Sequence, residues 1–110
     1  MNISKRVENS QFNIININGH VDATNAPQLE KEFDSIISDG GSKIIVNFRD
    51  VEYISSAGLR VLLSVTQRLK SKDGDLRLCE MNPTVEKTFN LAGFTRLFDI
   101  FKSEQESLAN

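Results

Sequence analysis

The spacing of apolar residues along this chain changes several times, and each change marks a predicted element. Ile3 to Glu8 and Phe12 to Asn18 are short β-branched segments separated by Asn9-Ser10-Gln11, a pattern that predicts a two-stranded hairpin. Gly19 to Asn25 reads as a polar connection. From Thr24 or Asn25 the period lengthens: Ala26, Leu29, Phe33, Ile36 and Ile37 recur at helical intervals, while Gln28, Glu30, Lys31, Asp34 and Ser35 fall on the other side. Pro27 suits the first turn of that helix, and Gly40-Gly41 supplies the left-handed stop.

Lys43 to Phe48 contains the unbroken run Ile44-Ile45-Val46, the signature of a strand covered on both faces and hence of the sheet's centre. A turn through Arg49-Asp50 is expected next. A second helix then begins near Ser56 or Ala57, with Leu59, Leu62, Leu63, Thr66 and Leu69 on one side and Arg60, Ser64, Gln67, Arg68 and Ser71 opposite. Asp73-Gly74 turns the chain into a strand at Leu76 to Cys79, which a full helical crossover makes parallel to the central one. Asn82 caps a third helix, with Pro83 at its first position, Val85 and Phe89 inward and Gly93 at its close. Leu97 to Phe101 reads as a last short strand, and Ser103 with Glu106 has capping-box spacing for a terminal helix. The order β-β-α-β-α-β-α, then a strand-like piece and a helix, predicts an α/β fold. Residues 1–110 form one domain in this reading, a mixed sheet packed with about four helices, most of them on one face.

Composition narrows the functional classes. A formal net charge of −2 over 110 residues, with no basic stripe interleaved with aromatics, disfavours direct nucleic-acid binding. No apolar run approaches the ~20 residues of a membrane span, and the first residues lack the apolar stretch of a secretory signal, so a cytoplasmic location is expected. The single cysteine, Cys79, allows no intrachain disulfide and reads as a buried core thiol.

Catalytic constellations are missing. The serine of a nucleophile elbow needs glycine two residues before it as well as two after, and Ser56 has Gly58 but Ile54. Ser56, His20 and Asp22 can be drawn as a nominal triad, although His20 reads as a solvated loop residue. Gly40-Gly41-Ser42-Lys43 lacks the spacing of a phosphate-binding loop and precedes a strand, so it is read as a helix stop and turn. One histidine and one cysteine in separate segments build no zinc site, and neither metal nor cofactor is expected.

What remains is the pair Ser55-Ser56, followed by Ala57-Gly58, where a strand gives way to a helix. A helix N-terminus carries unsatisfied N–H groups and partial positive charge, so a hydroxyl there can cap and a phosphate can be tolerated. The small residues after it would let the backbone turn and leave a serine uncovered. Local chemistry leaves two readings open: a simple N-cap, or a regulatory serine.

At these residues the chain resembles the STAS domain family, in particular the single-domain anti-sigma factor antagonists of bacterial partner-switching systems. The resemblance runs through Gly19-His20-Val21-Asp22, Ile44 to Phe48, Asp50, Tyr53 and Ser56-Ala57-Gly58-Leu59, and extends to Asn82-Pro83 and Leu91-Ala92-Gly93-Phe94. It implies a non-enzymatic regulator, free as a monomer, whose unphosphorylated form binds an anti-sigma factor that is also a serine kinase and so frees a sigma factor. Phosphorylation would fall on Ser56, with Ser55 as the alternative acceptor because many members carry Asp at that place, and a PP2C-type phosphatase would reverse it. Asp22, Ser55, Ser56, Ala57, Gly58 and Arg60 would then form the partner-binding surface. Two other readings accompany it: a STAS module serving a cyclase, motility or transport complex, and a small hydrolase or nucleotide-binding protein.

Overall fold

Five strands lie side by side in chain order, β1-β2-β3-β4-β5, in a computed structural model that describes every residue from Met1 to Asn110. The elements are β1 (Asn2–Glu8), β2 (Phe12–Val21), α1 (Ala26–Ser38), β3 (Lys43–Ile54), α2 (Ser56–Lys70), β4 (Asp75–Cys79), α3 (Pro83–Leu91), a 3-10 turn at Thr95–Leu97, β5 (Asp99–Phe101) and α4 (Glu104–Ala109). β1 pairs antiparallel with β2 through a turn in which Asn9 and Ser10 both take positive φ, 52° and 58°. Asparagine tolerates that region better than most residues, which is why the polar triplet marked the hairpin. All other pairings are parallel, as helical crossovers require.

The helices divide unequally between the two faces. α1, α2 and α3 bury Leu29, Phe33, Leu59, Leu62, Val65, Val85 and Phe89 against Ile15, Ile17, Ile44, Val46, Phe48 and Leu78 in one continuous core. On the other face α4 lies over a small cluster of Phe12, Ile14, Ile45 and Cys79, with Phe101 and Leu108 at its margin. The run Ile44-Ile45-Val46 is apolar throughout because its side chains alternate between these two cores. At roughly 1.5–3 kcal/mol for each large side chain removed from water, the larger cluster holds the fold.

α1 ends in paired backbone bonds, Gly41 N–H to Ile36 O at 2.9 Å and Gly40 N–H to Ile37 O at 3.0 Å, with Gly40 at φ +92°. This is the left-handed helix stop that the glycine pair predicts. α3 is capped as expected, the Asn82 Oδ1 accepting from Val85 N–H at 2.8 Å, and the same side chain donates to the Val51 carbonyl at 2.9 Å, fixing the helix start to β3. Ser103 likewise accepts from Glu106 N–H at 3.1 Å at the start of α4.

Two strands run further than their sequence predicts. β2 continues past Asn18 to Val21, and β3 continues through Arg49 and Asp50, the expected turn, to Ile54. The two extensions pair with each other, Asn18 with Asp50, Gly19 with Val51, His20 with Tyr53 and Val21 with Ile54, across register shifts next to Asn18 and His20. Each shift breaks the alternation of apolar and polar positions, so the segments read locally as loop while their backbones remain paired.

Candidate functional site at the start of helix α2

The site is built where β2 and β3 end together. The Ser55 N–H donates to the Val21 carbonyl at 2.8 Å, so the β3-α2 junction that carries Ser56 is tied to the start of the Asp22 loop. Ser55 has extended backbone angles and serves as the N-cap of α2, its half-buried side chain accepting from Gly58 N–H at 3.5 Å. Ser56 is the first helical residue and is exposed, with no protein partner for its hydroxyl. The two serines therefore differ: one supports the helix, and the other is offered to solvent.

Gly58 is buried in ordinary helical conformation, so a tight turn is not the reason for it. A Cβ there would lie 2.7 Å from Ile54 Cγ1 and 2.8 Å from Val21 Cγ1. The missing side chain lets the first turn of α2 seat on the ends of β2 and β3, which holds Ser56 at the rim. Ala57 packs half-buried against the main core, and Arg60 is exposed without an ion pair.

Asp22 is held by its own loop. Its Oδ1 accepts from the Thr24 hydroxyl at 2.6 Å, from Thr24 N–H at 3.0 Å and from Asn25 N–H at 3.2 Å. The Thr24 hydroxyl and these amides hold the Asp22 carboxyl below the usual carboxylate range, helped by the nearby His20, so it stays ionised at neutral pH. Asn25 stands at the N-cap position of α1 yet does not cap it. Its Oδ1 instead accepts from Asp22 N–H at 2.9 Å and its Nδ2 donates to the His20 carbonyl at 2.9 Å, tightening the same loop.

The nominal Ser-His-Asp triad is not assembled. His20 belongs to β2 rather than to a loop, and its Nε2 is 3.1 Å from Glu52 Oε2, with no hydrogen bond to Ser56 or Asp22. Its ring meets Tyr53 edge-on at 6.3 Å between centroids. The Gly40-Gly41 turn ends α1 and leads into β3, so no helix N-terminus follows it to hold a nucleotide phosphate. Cys79 is buried, and burial pushes its thiol up to about 12.

Sequence reasoning did not assign His20, Glu52 or Tyr53 to the partner-binding surface. Tyr53 is 46% exposed, unusual for a large ring, and sits in register with His20 on the strand extension. The signal was an aromatic directly after a charged residue, Glu52, masked by the register shifts. The larger concavities lie elsewhere: one of about 460 Å³ between the β1-β2 turn and the end of α1, another of about 400 Å³ lined by Arg6, Asn47, Arg49, Glu80 and Glu104. Ser56 is exposed and lines none of these concavities, so the site does not enclose a small substrate as a deep pocket would.

The chain is a mixed five-stranded sheet packed with four helices, with an exposed serine on the first turn of α2. Residues 4–107 match the model of the STAS domain, and the chain belongs to that family. It is 37% identical over 93 residues to BtrV of Bordetella bronchiseptica, a candidate anti-sigma factor antagonist, covering 84% of this chain and 80% of that protein. The crystal structure of a candidate anti-sigma factor antagonist from Thermotoga maritima superposes with a TM-score of 0.91 at 25% identity, over 97% of this chain and 92% of that one. The Bacillus cell fate determinant SpoIIAA in its phosphorylated form shares the fold at a TM-score of 0.75 and 21% identity, over 98% of this chain and 97% of that one.

Proposed function

We propose that this chain is an anti-sigma factor antagonist whose unmodified Ser56 surface captures an anti-sigma factor that is also a serine kinase, freeing a sigma factor. Phosphorylation of Ser56 ends that contact, and a PP2C-type phosphatase restores it in the cytoplasm. The observation that carries this reading is the division of labour between the two serines: Ser55 is engaged as N-cap, while Ser56 is exposed at a helix start that the Ser55-to-Val21 backbone bond ties to the Asp22 loop. The name carried by the Bordetella relative supports the choice of partner.

A phosphate on Ser56 brings about −1.5 to −2 charges to the positive end of a 15-residue helix, where the fold tolerates it. The switch is then a surface event. Its added bulk and charge meet a partner that had packed against a neutral hydroxyl, and an unpaired anion desolvated in that contact costs several kcal/mol. Asp22, Ser55, Ala57, Gly58 and Arg60 shape the surface around it.

The test is a binding measurement with the cognate kinase. Ser56→Ala is expected to retain the affinity of the unmodified protein and to resist phosphorylation, and Ser56→Asp to bind much more weakly. Equal affinity of the two variants removes the switch. Transfer of phosphate to the Ser56→Ala protein would move the acceptor to Ser55 or beyond.

A further inference from the structure

The helix that covers the second face of the sheet is attached differently from the other three. α4 has only six residues, well below the length at which a helix persists by itself, so its order depends on what it touches. At its start Glu104 receives Asn47 Nδ2 at 3.0 Å and pairs with Arg6, while its own N–H donates to Glu80 Oε2 at 2.7 Å. At its end the Ser107 carbonyl accepts from Arg77, whose guanidinium is stacked between Phe12 and Phe101 at 5.1 and 5.8 Å from their centroids. Beneath it lie only Phe12, Ile14, Ile45 and Cys79, separate from the continuous core under α1 to α3. β5, which leads into α4, is three residues long and forms the sheet's last edge.

We propose that Ser103 to Asn110 form a detachable strap, latched through Glu104, which lifts from the sheet while the rest of the fold stays intact. Segments that bury little apolar surface and are held mainly by polar contacts open at lower free energy than the whole domain. Lifting uncovers a row of apolar side chains and the thiol of Cys79 on the face opposite α2, leaving the Ser56 rim and its supports in place. Closed, the thiol donates to the Val46 carbonyl at 3.7 Å beneath the fully buried Ser107. Because burial also keeps it protonated, it reports opening cleanly.

The experiment measures the rate at which an excess of the aromatic disulfide DTNB labels Cys79, the only cysteine, across urea concentrations below the unfolding transition. The Cys79 thiolate attacks the reagent, releasing one coloured thionitrobenzoate while the thiol proton passes to solvent. A lifting strap gives a labelling rate nearly independent of urea, raised about tenfold by Glu104→Ala. Ile37→Val, in the other core, leaves that rate unchanged while lowering the urea midpoint of the whole domain. A rate that climbs with the full urea dependence of global unfolding overturns the proposal. So does a Glu104→Ala rate equal to that of the parent, or an Ile37→Val rate that rises with global destabilisation.

Discussion

Ser55 donates its backbone N–H to the carbonyl of Val21 at 2.8 Å, and this bond joins the two halves of the candidate site. Asp22 follows one residue and Ser56 the other, so an ionised carboxylate held by its loop and a free hydroxyl on the first turn of α2 flank one backbone bond. Charge and hydroxyl can therefore be varied independently.

Asp22→Asn keeps an oxygen able to accept from Thr24 and Asn25 but removes the charge. Because the folded-state pKa of Asp22 is depressed, chiefly by the Thr24 hydroxyl, its charge-dependent stabilisation is fully present above the ordinary aspartate value of about 3.9. It is lost as pH falls through that value and then through the folded one. Urea midpoints are expected to favour the parent at pH 7 and to converge with those of Asp22→Asn toward pH 2. A gap that widens on acidification would contradict the assignment. Under the proposed function, Asp22→Asn also weakens capture of the kinase at neutral pH.

The two serines should separate in stability as well as in modification. Ser55→Ala removes an N-cap whose hydrogen bond is long, 3.5 Å, and is expected to cost about 0.5–1 kcal/mol, the low end for such positions. Ser56→Ala touches no partner and should stay within about 0.5 kcal/mol of the parent. Chemical denaturation of both variants checks the order, and an equal or reversed cost means the cap has been misassigned.

Gly58→Ala sets two effects of opposite sign against each other. Alanine favours a helix interior by up to about 1 kcal/mol over glycine. Here its Cβ would overlap Ile54 and Val21 by several tenths of an ångström, and overpacking of that kind costs about 1–3 kcal/mol. Net destabilisation is expected, and Val21→Ala introduced alongside should relieve part of it, so the double variant loses less than the sum. A stabilised Gly58→Ala would show that the seat of α2 on the strand ends is loose.

Most elements were legible because they are locally specified. Ala26, Leu29, Phe33, Ile36 and Ile37 share a face, Asn82 and Ser103 cap the helices they precede, and Gly40 ends α1, all from residues within a few positions of one another. The final turns of β2 and β3 were not legible. Arg49, Asp50, Glu52 and His20 are polar and out of phase, and only their pairing across the sheet makes them strands. The same non-local fact moved His20 from a loop to Glu52 and brought Tyr53 to the rim of the site. Docking of α4 on the second face was equally hidden, since a capping box specifies a helix start and not what it covers.

Tyr53 offers the sharpest test of where a partner lands. Its ring is 46% exposed, braced edge-on by His20, two residues before the N-cap of α2. An exposed, braced tyrosine carries much of the energy of a typical contact, because it buries a large area at little cost in side-chain entropy. It belongs to neither hydrophobic cluster, so its loss should not be confounded with unfolding. Under the proposed function, Tyr53→Ala is expected to lower affinity for the kinase at least tenfold, about 1.4 kcal/mol, with the melting temperature unchanged, whereas Tyr53→Phe should retain most of the binding. Arg60→Ala, on the flank of α2, should cost less. Isothermal titration of the three variants ranks them directly. Full affinity in Tyr53→Ala would place the interface away from the β2 and β3 ends, on the exposed side of α2 alone.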